Sequence, residues 1–381
     1  MATTEIFNVG INDQSVSLFE GQYKVSGMAY NSYLIKDEKT AVLDTVGFEY
    51  GATWINNIKS AGVIPDFLFI THMEPDHSAN IALFKKQFPN AKVVANSKAF
   101  GMIKNFFGEN FADAKIEVKD GDIFSLGETE LLFVAAPMVH WPEVQMIYDK
   151  THKILFSADA FGRFGTHEKS DDWKTEARRY YVGIVGKYGM QVQAVLKKIA
   201  ALDISAIYPL HGEIITENLG YYLDLYDKWS SYSPEEQGTA IFYTSVYGNT
   251  EKAVKLLADE IKDITGATPP LFNLTICDMY QAVAAAFQYS NVVMATTTYN
   301  MDIFPYMSDF IARLTERNFA NRKVAFIENG SWAPNAVKVM AAMLEKCKNL
   351  SFCENNVKIV SALTEENILA IKNLAKELTK Q

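Results

Sequence analysis

The sequence predicts an α/β protein in two parts, a layered α/β sandwich followed by a doubly wound parallel sheet. Three observations carry this. At roughly 150 residues per domain, a chain of 381 residues implies two or three domains. The stretch Trp229-Ser-Ser-Tyr-Ser-Pro-Glu-Glu-Gln-Gly238 is polar, has proline and glycine near its end, and reads as a linker. Strands and helices then alternate strictly after it, whereas short strands dominate before it.

In the first part, strands are predicted at 31–36, 40–45, 67–70, 92–95, 130–135, 145–149, 153–157 and 205–208. Helical spacing appears near 50–61, 79–87, 97–106 and 184–201, with a further helical run at 218–228. Two sets of strands with interspersed helices make a sandwich. In the second part, apolar strands are predicted at 239–243, 270–274, 291–295, 323–327 and 357–361. Helices are predicted at 250–264, 279–288, 304–317, 335–347 and 364–379. Five strands alternating with five helices give a parallel sheet covered on both faces. The predicted domains are therefore 1–237 and 238–381.

Composition excludes several classes of function. The net charge of −9 lacks the basic footprint that phosphate backbones require, so no nucleic-acid partner is expected. The apolar runs are as short as Phe67 to Ile70, so no membrane span is expected, and the N-terminus lacks the pattern of a secretory signal. The three cysteines, Cys277, Cys347 and Cys353, form no CxxC pair, which argues against thiolate-ligated iron or zinc. A sparse, odd count fits a reducing cytoplasm.

The chemistry concentrates after strand ends. In Phe67-Leu-Phe-Ile-Thr-His-Met-Glu-Pro-Asp-His-Ser78 an apolar strand ends and His72, Glu74, Asp76 and His77 follow at once. Nitrogen and oxygen donors without sulfur suit iron, manganese or zinc. His140 follows the apolar run 131–136, Asp159 follows Ile154-Leu-Phe-Ser-Ala, and His211 follows Ala206-Ile-Tyr-Pro-Leu. The carboxyl ends of strands are where α/β folds place their chemistry, and four of the six histidines meet that pattern. His152 reads as a hairpin-turn residue and His167 as a residue of a glycine-rich loop.

The second part opens on Ile241-Phe-Tyr-Thr-Ser-Val-Tyr-Gly-Asn-Thr250, a strand, a hydroxyl-bearing loop and a helix start. Thr244, Ser245, Val246, Tyr247, Gly248, Asn249 and Thr250 can cradle a phosphate with backbone N–H groups and hydroxyls. No Gly-Lys-Ser/Thr or GxGxxG follows, so neither an ATP-type loop nor a dinucleotide fingerprint is present. Two further strand-end loops carry aromatics: Thr296, Thr297, Thr298, Tyr299 and Asn300 in one, Asn329, Gly330, Ser331 and Trp332 in the other. Aromatic faces and polar donors suit a flavin ring.

The pattern His-x-Glu-x-Asp-His with a later His, Asp and His resembles the diiron version of the metallo-β-lactamase fold. With the flavodoxin-like second part, the whole chain resembles a flavodiiron protein (A-type flavoprotein) in its short form without fused rubredoxin. The resemblance implies an N-terminal αββα sandwich and a C-terminal flavodoxin-like domain. It implies one iron on His72, Glu74 and His140, another on Asp76, His77 and His211, and Asp159 bridging. Two ferrous ions bring four positive charges, three carboxylates and one hydroxide balance them, and Glu74 supplies an anion where zinc hydrolases of the fold usually have His. Departures are Leu210 before the last histidine, Thr296-Thr297 in place of a segment that often includes Ser-Pro, and Glu328-Asn329-Gly330 in the third flavin loop.

The implied activity is reduction of dioxygen to water, of nitric oxide to nitrous oxide, or both, with FMN relaying electrons. Four electrons for O2 match two from the irons and two from the flavin, and coupling two NO needs only two. Implied partners are rubredoxin or a similar small donor and a second copy, in a homodimer or homotetramer. Tyr180, Tyr181 and His167 are candidate proton carriers. Two alternatives remain open from the residues: a binuclear zinc hydrolase fused to a flavodoxin domain, and a flavodoxin-like electron carrier whose first domain serves assembly only.

Overall fold

Two hydrophobic cores form separately, and each is built from alternating strand residues. The computed structural model describes residues 4–109, 111–168 and 172–380 and divides into two units, 1–227 and 228–381.

In the first unit one sheet runs in the order Glu5–Asn8, Tyr33–Lys36, Thr40–Leu43, Phe67–Phe69, Lys92–Ala95, Lys115–Glu117. A second runs Ile123–Ser125, Glu130–Ala135, Gln145–Asp149, Ile154–Phe156, Ala206–Tyr208. Successive strand side chains point to opposite faces. Tyr33, Ile35, Ala41, Leu43 and Phe69 of the first sheet therefore share one core with Leu131, Phe133, Ile147 and Phe156 of the second. The alternate residues Leu34, Val42, Leu68 and Val93 are equally buried on the first sheet's other face. Helices Gly51–Ser60 and Ile81–Gln87 pack together through Trp54 and Phe84, whose rings lie 5.9 Å apart. The result is the αββα sandwich.

The second unit orders its strands Leu271–Asn273, Glu236–Tyr243, Tyr289–Tyr299, Lys323–Asn329, with Ser351–Phe352 and Val357–Ile359 both pairing the last of these. All these pairings are parallel, which is the flavodoxin-like 2-1-3-4-5 winding. Ile241, Val293 and Ile327 pack under helices Asn249–Thr265 and Glu365–Leu378. On the opposite face Phe242 stacks on Phe310 of helix Pro305–Glu316 at 4.7 Å.

Most predicted elements fall within two or three residues of those observed, and the differences have physical causes. The strand predicted at 291–295 runs on to Tyr299, because Thr296 and Thr297 pair with Glu328 and Asn329 of the neighbouring parallel strand and Thr298 and Tyr299 pair antiparallel with Ile303 and Asp302 around a tight turn. Asn300 and Met301 both have positive φ there, as a two-residue hairpin turn requires. Thr296 to Tyr299 are thus strand rather than loop. The helix predicted at 184–201 is Gly189–Ile199, preceded by helix Trp173–Tyr180 and a wider π-helical turn, Tyr181–Val185. Gly183 in that turn lies against Tyr23 so closely that a Cβ would meet its ring at 2.7 Å. Helix Leu219–Ser230 and strand Glu236–Tyr243 occupy the ends of the polar stretch 229–238.

Candidate metal centre and flavin loops

The ligand-bearing loop after Phe67–Phe69 is tied down from several sides. The buried Asp44 carboxylate accepts from Thr71 N at 2.7 Å, from the Thr71 hydroxyl, and from His72 N at 3.3 Å. Glu143 Oε1 accepts from Met73 N at 2.8 Å. Glu74 occupies the cap position of the short helix Pro75–Ser78, and Pro75 at its first position carries the fixed φ a helix start favours. That turn presents Asp76 and His77. Ser78 Oγ returns to Met73 O at 2.8 Å. Four non-glycine residues beside the cluster have positive φ, Asp44, Met138, Ala158 and Phe161, and such strain clusters at functional sites.

All seven predicted metal residues converge. His72, Glu74, His140 and Asp159 offer donor atoms within 4.8 Å of one another, and so do Asp76, His77 and His211. Nε2 of His72 lies 3.3 Å from Nε2 of His140, and Nε2 of His77 lies 3.0 Å from Nε2 of His211. Glu74 Oε2 lies 3.3 and 3.0 Å from the first pair, and Asp76 Oδ2 lies 3.4 Å from each of the second. Asp159 sits between: its Oδ2 is 3.2 Å from His140 and 3.5 Å from His72, its Oδ1 3.2 Å from His77.

These spacings fit a metal. Donors roughly 2.0–2.2 Å from one ion and about 90–110° apart lie about 2.8–3.6 Å from each other. Both Asp76 oxygens and both Asp159 oxygens are buried without a hydrogen-bond partner, which is costly unless a cation stands among them. His72 Nδ1 pairs with Glu143 at 2.9 Å and His211 Nδ1 with Ala29 O at 2.7 Å. With Nδ1 donating, each ring turns its Nε2 lone pair inward. The group is a metal-binding cluster.

The electrostatics agree. Burial opposes the charged forms of Asp159 and Glu74, yet the surrounding imidazoles hold both carboxyls well below the usual range. Burial likewise opposes the His140 cation, but the adjacent carboxylates of Asp159 and Glu74 outweigh it and push the imidazole up to about 9. Burial pushes Asp44 up to about 6 against the bonds from Thr71. Glu20 is exposed as a residue, but its carboxyl end turns toward Glu74, and desolvation followed by that anion pushes it up to about 7. Of the other two histidines, His152 pairs with Asp149 at 2.7 Å and His167 is exposed, its N–H on Asn12. Tyr180 and Tyr181 are buried, with the Tyr180 ring 5.5 Å from His211.

Asp44, Glu143 and Glu20 were not among the predicted residues. Asp44 had a usable signal, a lone acid ending the strand Thr40–Leu43. Glu143 follows His140 by three residues, a spacing that means nothing until the loop's path is known.

In the second unit the flavin-type loops leave three adjacent parallel strands. Thr244 and Thr296 hydroxyls bond each other at 2.7 Å across two of them. Ser245 Oγ accepts from Gly248 N and Glu251 N at 3.1 and 3.2 Å and so shapes the first loop. Gly248 has φ +87° and open space around it, and helix Asn249–Thr265 starts there without a side-chain cap. The buried hydroxyls of Thr250 and Thr297 have no partner. An uncapped helix start with unpaired hydroxyls fits a phosphate. Tyr247 is 92% exposed, Trp332 79% and Tyr299 45%, leaving aromatic faces for a planar ring. Val246 is exposed beside Tyr247. Thr298 Oγ1 accepts from Asn335 N at 2.8 Å, Asn300 turns the hairpin, and Asn329 and Gly330 are tied to Ser361 O and Ile359 O. Ser331 is exposed. Glu328 is buried and holds Val337 N at 2.9 Å, so it fixes the start of helix Ala336–Met343.

A sandwich with a clustered His/Asp/Glu set, followed by a flavodoxin-like sheet, defines a two-domain metalloprotein class, and comparisons with known proteins agree. The family described as "ODP family beta lactamase" matches residues 28–212. The anaerobic nitric oxide reductase flavorubredoxin of Salmonella arizonae is 28% identical over 88% of this chain and 73% of that protein. That of Vibrio vulnificus is 29% identical over 88% and 71%. The rubredoxin oxygen:oxidoreductase from Desulfovibrio gigas superposes with a TM-score of 0.89 at 25% identity, covering 98% of this chain and 96% of that one. The flavodiiron protein from Giardia intestinalis shares the fold, with a TM-score of 0.90 at 24% identity over 98% and 95%. Over nearly its whole length the chain is similar to flavodiiron proteins.

Proposed function

We propose that this chain is an oxidoreductase that reduces dioxygen to water, nitric oxide to nitrous oxide, or both, at a non-haem diiron site fed by FMN. The observation that carries the reading is Asp159, whose two oxygens face two separate His/His/carboxylate sets. One iron is assigned to His72, Glu74 and His140, the other to Asp76, His77 and His211, within a diiron domain of residues 1–237. FMN is assigned to residues 238–381, on the strand-end segments 244–250, 296–300 and 329–332. Iron supplies one-electron steps and a Lewis-acid seat for the small oxidant, and FMN supplies two further electrons.

The chain's own residues do the rest. Asp159 fixes the spacing of the two positions. Glu143 and Ala29 O hold the rings of His72 and His211 in the tautomer that ligates. Trp141 stands edge-on to His72 at 5.3 Å, and Phe19, Tyr30 and Tyr180 surround His211 at 5.5–5.8 Å, which keeps water from the ligand rings. Thr244, Ser245 and Thr250 with the helix start bind the phosphate, and Tyr247, Tyr299 and Trp332 flank the ring.

Electrons arrive from rubredoxin or a similar small carrier, and the working form is a homodimer or homotetramer in the cytoplasm. No helix among the described residues is long and apolar enough to cross a membrane.

The deciding experiment is anaerobic stopped-flow of the reduced, iron-loaded protein against O2 and NO in parallel, with metal analysis of the same sample. Reoxidation of the flavin by either gas within the dead time or the first seconds is the expected result. A protein that holds only zinc and turns over neither gas overturns the reading.

A further inference from the structure

The two ligand sets are alike in composition. Each has two imidazoles and one carboxylate, His72, His140 and Glu74 against His77, His211 and Asp76, with Asp159 between them. They differ in what stands behind the rings. His72 Nδ1 lies 2.9 Å from the carboxylate of Glu143, which is fully buried. His211 Nδ1 faces a neutral carbonyl, that of Ala29, at 2.7 Å. His77 Nδ1 has no hydrogen-bond partner among the described residues.

We propose that Glu143 is a positioning residue that makes the two metal positions electronically unequal, so that the iron held by His72, Glu74 and His140 is the one that stays ferric when the centre is half reduced. The inference rests on the diiron reading above. A ring that donates to a carboxylate gains anionic character and becomes the more basic ligand. A more basic ligand favours the higher metal charge. A ring that donates to a carbonyl, or to nothing, gains less.

Two further observations support Glu143 in this role. Its position is fixed: Oε1 also accepts from Met73 N at 2.8 Å, and its backbone carbonyl accepts from Asn96 Nδ2 at 2.6 Å. Its Oε2 is buried without a partner, so the carboxylate needs a positive charge nearby, and the metal beyond His72 supplies one. Other carboxyls do not cancel the asymmetry. Glu20 turns its carboxyl end toward Glu74 and so stands on the same side as Glu143. Asp44 acts on His77 through space, but its hydrogen bonds go to Thr71 and the backbone of His72, not to a ring nitrogen.

The test compares wild type, E143Q and E143A loaded with 57Fe and poised at a series of potentials under EPR and Mössbauer observation. Gln keeps an oxygen for His72 Nδ1 and Met73 N and removes only the charge. The expected result is two irons per chain in E143Q, with the half-reduced signal appearing at higher potential and with altered g-values. E143A is expected to lose about 10–100-fold in affinity for one of its two ions, the same ion that Glu74→Ala loses. Two irons in E143Q with unchanged potentials and spectrum overturn the proposal.

Should the variants not fold, the zinc-loaded wild type with 15N-labelled histidine still decides. One ring N–H, assigned to His72, is expected far downfield of the others, and its absence overturns the proposal. Failure to take up iron at all would instead remove the diiron reading, which this zinc measurement does not depend on.

Discussion

Asp159 shows how much a single side chain can settle. Its carboxylate is buried, has no hydrogen-bond partner, and faces a different trio of donors with each oxygen. Asp159→Ala is expected to abolish paired iron binding and lower turnover by about two orders of magnitude or more, while flavin content is unchanged; metal analysis and the flavin absorbance check both. His140 carries a second prediction. Without metal its imidazole is pushed up to about 9, so it is protonated at neutral pH, and a metal must displace that proton. Metal uptake should therefore release protons at pH 7 and tighten as pH rises from about 6.5 to 9. Calorimetry in buffers of different ionisation enthalpy counts those protons. The sign is that of a raised folded-state value: the stability gained by the protonated ring is present below about 6.5 and lost through 9. The cluster residues were legible in the sequence because His72 to His77 crowd into one loop and the other three each follow an apolar run. Glu143 was not, because a carboxylate behind a ring is defined by where two loops meet, and no spacing announces that.

Among the elements, the second unit was the more legible. Its strands are buried on both faces, so each reads as an unbroken apolar run, and its helices carry clear amphipathic spacing. What escaped was length. Thr296 and Thr297 extend their strand beside Glu328 and Asn329, and Thr298 and Tyr299 extend it further because a hairpin partner at 302–303 returns beside them. In the first unit the short strands Glu5–Asn8, Ile11–Asp13, Leu18–Phe19 and Tyr23–Lys24 were not read at all. Two to four residues give no period to detect, and their pairing is decided by tertiary contacts. The flavin loop makes its prediction at this scale. Gly248 opens helix Asn249–Thr265 in a left-handed conformation, and a β-branched residue there is strained by about 1–2 kcal/mol. Gly248→Val combined with Thr250→Ala should lose FMN and keep both irons, the reverse of Asp159→Ala. Loss of iron from the double variant would show that the loop serves the fold rather than the flavin.

For the whole molecule, two separate cores mean two separable responses. The first unit buries Asp76, Asp159 and one oxygen of Glu143 without partners, and the second has no such acidic cluster among its described residues. Chelating the metal should therefore lower the melting temperature of one calorimetric transition and leave the other in place, since a ligand bound only to the native state stabilises by mass action. A shift of both would mean that the units melt together. Within the first unit, the tight approach at Gly183 reaches further than its size suggests. Tyr23 fills the space a methyl would take, and its ring lies 5.0 Å from Phe164. Phe164 meets Phe19 at 5.9 Å and Tyr180 at 5.2 Å, and both of those rest on His211. Gly183→Ala would push on the first ring of that stack and be felt at the last, loosening a ligand from three aromatic layers away. Metal occupancy of the alanine variant measures how stiff that relay of rings is, and the tolerances of the catalytic pocket are in this sense machined at a residue that has no side chain.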